Sequence, residues 1–258
     1  MTEDLISLEK THLLPLYFKL TKKFKAYAGE KTNLHKLQEA YVFGLEMHKD
    51  QKRDSGEPYF THPLNTALLL TEYEADLETL IAALLHDVIE KAEDFSLLKQ
   101  IEAKFGKKVA FLVEGLTPVK GPSQEMEIQN LKRLFRFAEE DMRIIFIKLM
   151  DRLHNLRTLS SKKDKEVQKY KAQESIRVYV PIASQIGLPF LTKEFVKLAK
   201  PYIEDRIKNK VDYYGSTPKT KAQLQVVSNT HKNKLPSTLS NRFLQIIDNF
   251  ESAKLCTA

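Results

Sequence analysis

The sequence predicts an all-α protein, and three observations support this fold class. Apolar residues recur at helical spacing along most of the chain. No segment sustains the alternation of apolar and polar residues that is typical of a β-strand. Only 8 glycines and 10 prolines interrupt the 258 residues, so the breaks between helices are few.

The predicted helices follow from apolar periodicity bounded by turn residues. In chain order they cover residues 5–27, 33–49, 63–74, 76–92, 95–104, 107–115, 124–137, 139–159, 163–186 and 190–208. Pro63 suits the first turn of the third helix, where a missing N–H leaves no helical hydrogen bond unmade. The helices that start at Asp76 and at residue 139 are apolar enough to lie in the core.

The helical pattern weakens after about residue 208. The next segment is polar and lysine-rich with several turn residues, and it is predicted to be a loosely held arm. A last amphipathic helix follows, with Ser240 as a candidate N-cap. Its apolar stripe consists of Phe243, Ile246, Ile247 and Phe250. The sequence therefore predicts one domain over 1–208, and an arm and helix over 209–258 that dock on the core or on a partner chain.

Composition and charge restrict the class of protein. The single cysteine, Cys256, excludes an intrachain disulfide, and the acidic N-terminus lacks the features of a secretory signal. No run approaches the roughly 18 consecutive apolar residues of a membrane span. A soluble, cytoplasmic protein without a membrane partner is expected. The net charge of +7 suits a polyanion such as a phosphorylated small molecule, whereas the dispersed lysines do not indicate nucleic acid.

The stretch LLHDVIEK, Leu84 to Lys91, places polar groups inside a predicted core helix. The apolar face of this helix is complete without them and consists of Leu77, Leu80, Ile81, Leu84, Leu85 and Val88. At helical spacing, His86, Asp87 and Glu90 lie roughly opposite that face. An isolated histidine in a helix is more often packed or exposed than a ligand, so the interpretation depends on neighbouring elements.

A second polar set interrupts the helix predicted over 139–159. Asp151, His154, Asn155 and Thr158 recur at i, i+3, i+4 and i+7 after an apolar run. A buried carboxylate must be paired, neutralised or bound to a metal, because desolvation of a lone charge is unfavourable. Pairing of Asp151 with Arg152 or with a nearby lysine is the structural alternative to a metal.

The segment HKDQKRDSGEPYFTHP supplies a third group of candidates, with Arg53 and Ser55 in a loop that ends at a histidine. Together the three elements offer a nitrogen and oxygen ligand set formed by His62, His86, Asp87 and Asp151. Such a set suits Mn²⁺ or a similar ion with free positions better than a closed, cysteine-rich zinc site. Metal-assisted hydrolysis requires those free positions for water and a phosphoryl oxygen.

Five blocks of sequence, in this order, resemble those of a known family. They are RDSGEPYFTHP, AALLHDVIEK, FGKKVAFLVEGLTPV, IKLMDRLHNLRTL and ESIRVYVPIASQIGL, within about residues 35–205. Through them the chain resembles the HD phosphohydrolase superfamily and, within it, the alarmone hydrolase domain of RelA/SpoT homologues. Because no synthetase domain fits after residue 205, the resemblance extends to the stand-alone small alarmone hydrolases.

The resemblance implies an HD-domain helical bundle and removal of the 3′-pyrophosphate of ppGpp or pppGpp. It implies Mn²⁺ bound by the two histidines and two aspartates named above. Glu90 matches the acidic residue that orients or deprotonates the attacking water. Arg53 and Ser55 match positions that pack against guanine, although a surface salt bridge is the alternative for Arg53. Asn155 and Thr158 match nucleoside-facing positions.

The chain departs from the family at one carboxylate. The family usually has Glu-Asp where this chain has Glu90 followed by Lys91. The next segment is longer by about two residues, so Glu93 or Asp94 could take the vacant role. Alternatively, the lysine slows the reaction, contacts substrate phosphate, or pairs with Asp87 four residues earlier and weakens the metal site.

Three functional hypotheses follow from these observations. The first is a Mn²⁺-dependent hydrolase of 3′-pyrophosphorylated nucleotides, with either guanine or adenine as the base. The second is a non-catalytic, alarmone-binding regulatory module, which Lys91 favours and the four intact ligands oppose. The third is an HD phosphohydrolase that acts on another nucleotide or phosphoester. The last helix is compatible with a homodimer or with docking inside one chain.

Overall fold

The structure, a computed structural model, describes residues 12–119, 124–203 and 237–255. These residues form helices and no strand, and an isolated antiparallel bridge joins Lys52 to Pro58. The predicted all-α fold class is confirmed.

The helices follow the apolar periodicity of the sequence. In chain order they are α1 (Leu14–Ala28), α2 (His35–Met47), α3 (Thr61–Leu70), α4 (Leu77–Leu85), α5 (Val88–Ala92), α6 (Leu97–Phe105), α7 (Lys107–Leu116), α8 (Gln124–Glu140), α9 (Arg143–Arg157), α10 (Lys165–Glu174), α11 (Val180–Gln185), α12 (Pro189–Ala199) and α13 (Ser237–Leu255). Short 3₁₀ turns follow α3, α9 and α12, and a π-helical segment, Ser175–Tyr179, joins α10 to α11.

The chain divides into two compact units. The first contains α1 to α7 and the first part of α9, Arg143–Asp151. The second contains α8, the remainder of α9, and α10 to α13. The predicted arm lies outside the described residues, and the predicted domain boundary at 208 stays a prediction. Among the described helices, none combines the length and the hydropathy of a membrane span.

The prediction of one helix over 76–92 is wrong, because α4 ends before His86 and α5 begins after Asp87. The last carbonyl groups of a helix lack helical partners. The imidazole Nδ1 of His86 lies 2.8 Å from one of them, the carbonyl oxygen of Ala83, and donates to it. The side chain thus closes α4, and the two polar residues occupy a helix junction.

The prediction of one helix over 163–186 is also wrong. The chain widens into a π-helical segment in which the N–H of Val180 donates to the carbonyl of Ser175, five residues earlier. Pro181 supplies the physical reason, since proline lacks an N–H and its ring clashes with the carbonyl four residues before it. The wider turn removes that clash before α11 begins.

In the first unit, α4 is the central helix and packs against α2, α3 and α7. Its N-cap is Asp76, as predicted for the start of this helix, and one carboxylate oxygen accepts from the N–H of Thr79 at 2.8 Å. The other oxygen accepts from Arg143 at 2.8 Å, and Glu78 accepts from the same guanidinium at 2.9 Å. These contacts fix the start of α4 against the start of α9, the helices that lead to His86 and to Asp151.

Gly44 in α2 occupies a position without room for a side chain. A Cβ at this position would lie 2.6 Å from Cζ of Phe60, whose ring is fully buried directly before α3. We expect Gly44→Ala to lower the free energy of unfolding by about 1–3 kcal/mol through overpacking. In an unobstructed helix the same substitution stabilises by about 0.5–1 kcal/mol. Urea denaturation measures the difference.

Phe60→Leu is the matched control for this prediction, because it removes the ring atoms that obstruct the new methyl group. In the Phe60→Leu background, Gly44→Ala should be much less destabilising. An equal loss in both backgrounds would show that the Phe60 ring is not the obstacle.

In the second unit, α13 packs on α8, α11 and the π-helical segment. Phe243, Ile247 and Phe250 are buried, and the ring of Phe243 lies 5.0 Å from that of Phe135 in α8. Ile246 completes the predicted stripe and is partly exposed. The last helix therefore docks within its own chain, and a homodimer stays a prediction.

The N-cap assigned to this helix is wrong. The helix begins at Ser237, which places Ser240 inside its first turn. The hydroxyl of Ser240 donates to the carboxylate of Glu139 in α8. The serine thus bonds to the neighbouring helix, because the chain already has helical geometry three residues before it.

Candidate metal centre

The junction between α4 and α5 places His86 and Asp87 side by side in the interior of the first unit. The Nδ1 of His86 must carry its proton, because a carbonyl oxygen, that of Ala83, can only accept. In the neutral imidazole, Nε2 then has a free lone pair. This Nε2 is buried and has no hydrogen-bond partner.

His62 enters the same region from the first turn of α3. Its Nε2 lies 3.8 Å from Oδ2 of Asp87 and 3.1 Å from Oδ1 of Asp151. The hydroxyl of Tyr59, three residues before His62, donates to Oδ2 of Asp87 at 2.6 Å. The segment before α3 therefore contributes a histidine to the cluster and orients one of its carboxylates.

Asp151 reaches the cluster from α9. Its Oδ1 lies 3.1 Å from Nε2 of His62 and 4.0 Å from Nε2 of His86. Its Oδ2 accepts from the ammonium of Lys148 at 2.8 Å. The lysine pairing that the sequence offered as an alternative is present, but it uses the second oxygen and leaves Oδ1 facing the imidazoles.

The arrangement fits a bound cation. Nitrogen and oxygen atoms of His62, His86 and Asp87 all lie within 4.8 Å of one another. The unpartnered Nε2 of His86 is 3.2 Å from Oδ1 of Asp87. A lone pair and a carboxylate oxygen repel each other at this distance unless positive charge lies between them. The three residues therefore form a possible metal site of the nitrogen and oxygen type, and Oδ1 of Asp151 is close enough to both imidazoles to join it.

The charge states of the cluster suit metal binding. Burial alone would raise the pKa of Asp87, but the imidazoles of His86 and His62 lower it to about 2. Burial opposes ionisation of Asp151 as well, yet the ammonium of Lys148 holds its pKa well below the usual range. For His62, burial lowers the pKa. Ionised carboxylates and neutral imidazoles are the forms that ligate a metal.

The metal-free protein should lose stability below about pH 6.5. Burial lowers the pKa of both His48 and His62, so near pH 6 the unfolded state binds more protons than the folded state. The contribution of these histidines to the free energy of unfolding is fully present above the unfolded-state pKa. It falls as pH decreases below that value, by up to about 1.4 kcal/mol per pH unit for each histidine. Urea denaturation at about pH 7.5 and about pH 5.5 measures this loss, because Asp87 and Asp151 remain ionised over that interval.

His48→Gln is the control for this pH dependence. The Nδ1 of His48 lies 2.9 Å from the side-chain oxygen of Gln51, and its ring is buried. Glutamine does not titrate, so the variant should show a smaller loss between the two pH values. Stability that is constant or higher at the lower pH would contradict the assignment of neutral, buried histidines.

Glu90 and Lys91 follow the cluster in α5. The side chain of Glu90 is 30% exposed, and its Oε1 lies 3.7 Å from the ammonium of Lys91. That ammonium also lies 5.1 Å from the centroid of the Tyr59 ring. The charge of Lys91 is therefore directed at Glu90 and Tyr59, whereas the sequence suggested a pair with Asp87.

The two carboxylates suggested as substitutes for the missing acid are at the surface. Glu93 ends α5 in a left-handed conformation with φ of 56°, and Asp94 follows it. Both side chains are exposed. Asp94 accepts a hydrogen bond from the N–H of Ser96 at 2.8 Å, which stabilises the turn before α6. These positions do not support a role for either residue in a buried site.

Arg53 and Ser55 share one partner, Glu57. The guanidinium Nε of Arg53 lies 3.7 Å from Oε1 of Glu57, and the hydroxyl of Ser55 donates to the same oxygen at 3.1 Å. Gly56 has φ of 88°, a conformation that favours glycine, and its N–H donates to the carbonyl of Arg53. The salt bridge offered as the alternative for Arg53 is present, but the side chain is only 11% exposed.

Asn155 and Thr158 belong to the second unit, in and just after the last turn of α9. The hydroxyl of Thr158 donates to the carbonyl of His154 at 3.0 Å. This bond satisfies a carbonyl group at the end of the helix. The nucleoside contacts expected of Asn155 and Thr158 stay predictions.

The sequence indicated a lysine partner for Asp151 without specifying Lys148, and it did not indicate Tyr59. Lys148 precedes Asp151 by three residues on α9, a spacing that brings side chains together, so the signal was available. Tyr59 reaches Asp87 across 28 residues of sequence, and no local pattern indicates such a contact.

Comparison with known proteins assigns this chain to a family. Residues 40–188, more than half of the chain, match the family described as HD domain. The chain belongs to the HD domain family. The matched region of this HD domain contains all four residues of the cluster, His62, His86, Asp87 and Asp151.

Several relatives of this HD domain are larger proteins. GTP pyrophosphokinase rsh of Brucella melitensis is 37% identical over 191 residues, which are 72% of this chain and 25% of the relative. The guanosine-3′,5′-bis(diphosphate) 3′-pyrophosphohydrolase of Aquifex aeolicus is 40% identical over 168 residues, 65% of this chain and 24% of the relative. The bifunctional (p)ppGpp synthase/hydrolase SpoT of Escherichia coli K12 is 36% identical over 187 residues, 71% of this chain and 26% of the relative. The chain spans about a quarter of the length of these relatives, and the predicted resemblance to RelA/SpoT homologues is confirmed.

Proposed function

We propose that this HD domain is a metal-dependent hydrolase that removes the 3′-pyrophosphate of ppGpp or pppGpp, with GDP or GTP and pyrophosphate as products. The observation that carries the proposal is the buried, unpartnered Nε2 of His86, which faces Asp87 beside His62. The 40% identity to a relative named as a 3′-pyrophosphohydrolase of guanosine-3′,5′-bis(diphosphate) supports this substrate. The cytoplasm is the compartment we propose for the reaction.

Mn²⁺ is the proposed ion, with side chains of His62, His86, Asp87 and Asp151 as its ligands. Two imidazoles and two carboxylates suit Mn²⁺, and Asp151 adds a second negative charge to the three-residue site. When bound, the ion would acidify a water molecule and neutralise charge on the phosphoryl oxygens. The protein supplies the geometry, since the ligands come from buried positions on α3, on α9 and at the junction between α4 and α5.

Other side chains have proposed roles in substrate binding and proton transfer. Glu90 would accept the proton of the attacking water, and its partial exposure leaves its carboxylate accessible. Arg53 would stack on guanine or contact phosphate with its planar cation, supported by Ser55 in the same loop. Asn155 and Thr158 would contact the nucleoside.

We expect Arg53→Ala to raise KM about tenfold and to change kcat little, because the guanidinium would bind substrate and transition state equally. Steady-state kinetics with ppGpp measures both constants. Lys52→Ala is the control, since it removes a neighbouring exposed cation. A fall in kcat with an unchanged KM would instead assign Arg53 to the transition state.

A panel of substrates, with and without Mn²⁺, tests the proposed function. The panel contains ppGpp, pppGpp, their adenine counterparts and other nucleotide phosphoesters, with products separated by ion-exchange chromatography. We expect Mn²⁺-dependent release of pyrophosphate from the 3′ position and no reaction after chelation.

The same panel distinguishes the two other hypotheses. Lys91 beside Glu90 favours a non-catalytic binding module, because a lysine replaces the second carboxylate. Binding of ppGpp by calorimetry without turnover at saturating Mn²⁺ would support that module and contradict the hydrolase. Turnover only of another phosphoester would contradict the proposed substrate and leave the metal site unaffected.

A further inference from the structure

Lys91 connects to the metal site through an aromatic ring. Its ammonium lies 5.1 Å from the centroid of the Tyr59 ring and 3.7 Å from Oε1 of Glu90. The carboxylate of Glu90 and the electron-rich face of the Tyr59 ring both attract the ammonium, and together they hold the flexible lysine side chain at one place. The side chain is 35% exposed, so part of its charge is screened by solvent and part acts on the ring.

Tyr59 in turn holds the carboxylate of Asp87. Its hydroxyl donates to Oδ2 at 2.6 Å, while Oδ1 of the same carboxylate lies 3.2 Å from the free Nε2 of His86. The Tyr59 ring is packed against the buried ring of His48, with centroids 5.0 Å apart. Loss of the hydroxyl would let the carboxylate rotate away from the position that faces the imidazoles.

A cation over the face of a phenol ring has two effects. It attracts the ring electrostatically and so limits its rotation, and it withdraws electron density, which makes the hydroxyl a stronger donor. Both effects favour the hydrogen bond to Asp87. Partners that orient a metal ligand in this way alter metal affinity without contacting the ion.

We propose that Lys91 is a positioning residue that strengthens divalent-ion binding by holding Tyr59 in place to orient Asp87. The inference rests on the metal site of the proposed function, but it concerns a residue that makes no contact with the ion. A direct effect of the lysine charge has the opposite sign, because a cation near the site repels a divalent ion. The sign of the effect therefore separates the two mechanisms.

Calorimetric titration of Mn²⁺ into the metal-free protein tests the inference, with variants Lys91→Met, Tyr59→Phe and the double variant. We expect Tyr59→Phe to weaken Mn²⁺ binding about tenfold and Lys91→Met about threefold. In the Tyr59→Phe background, which keeps the ring and removes the hydroxyl, Lys91→Met should have no further effect. Lys91→Arg should restore the affinity of the natural protein, since a guanidinium also stacks on an aromatic face.

Lys108→Met is the matched control, because it removes the charge of a 72% exposed lysine on α7. Tighter Mn²⁺ binding in Lys91→Met, or an equal change in both Tyr59 backgrounds, would overturn the inference and assign direct repulsion to Lys91. Failure of the unaltered protein to bind Mn²⁺ would overturn the inference together with the proposed metal site. If the variants change the Mn²⁺ affinity as expected but the unaltered protein does not hydrolyse ppGpp, the inference is supported and only the proposed function is contradicted.

Discussion

Asp151→Ala should abolish turnover and weaken divalent-ion binding in the same variant. The carboxylate of Asp151 presents Oδ1 to the imidazoles of His62 and His86 from inside the protein. Removal of a ligand should cost the several kcal/mol of transition-state stabilisation that a divalent ion supplies, so kcat/KM should fall by at least about 10³-fold. The protein should still fold, because the side chain of Lys148, which pairs with Asp151, is 27% exposed and its ammonium can reach solvent.

Two variants control for this prediction. Asp151→Asn keeps the shape of the side chain and should also lose activity, since the amide has no charge. Asp50→Asn makes the same change at an exposed turn and should leave kcat/KM unchanged. Rates with ppGpp and Mn²⁺ titrations are measured in parallel, and near-normal kcat in Asp151→Ala would remove this residue from the mechanism.

Glu174→Ala should give the largest loss of stability among the substitutions considered. Glu174 and Arg152 form an ion pair at 2.9 Å, with side chains only 10% and 8% exposed. Without the carboxylate, the guanidinium of Arg152 stays buried against the ring of Tyr179, 4.3 Å from its centroid. Removal of one partner from a buried pair typically costs about 3–5 kcal/mol. Urea denaturation at neutral pH measures the loss.

The double variant Arg152→Met with Glu174→Leu separates the loss of the ion pair from the cost of a buried guanidinium that lacks this carboxylate. Replacement of both partners by apolar residues should restore much of the stability, because neither of the two buried charges is left. Lys108→Ala, which breaks an exposed pair with Glu78, should change stability by less than about 1 kcal/mol. A loss of that small size in Glu174→Ala would show that Arg152 finds another partner.

Local sequence patterns were sufficient for the fold class and for most helices. The exceptions are positions where a side chain determines the conformation of the backbone. His86 closes α4 with its imidazole, and Pro181 widens the chain before α11, so both predicted long helices are divided. Apolar periodicity does not record either effect, because residues on both sides of each break remain apolar.

Residue type and helical spacing were sufficient to predict part of the candidate site. Helical spacing indicated the polar faces that contain His86, Asp87 and Asp151, and the structure brings these side chains together with His62. Helical spacing did not indicate Tyr59, because the contact between Tyr59 and Asp87 joins separate elements. The orientation of Lys91 toward the Tyr59 ring depends on the same junction and could not be derived from a regular helix.

Crystals grown with Mn²⁺, and diffraction data collected above and below the manganese absorption edge, show whether these side chains bind one manganese ion. We expect one anomalous peak, with nitrogen atoms of His62 and His86 and carboxylate oxygens of Asp87 and Asp151 at about 2.0–2.4 Å from the ion. A peak coordinated by other residues, or no peak with these four side chains pointing apart, would contradict this expectation.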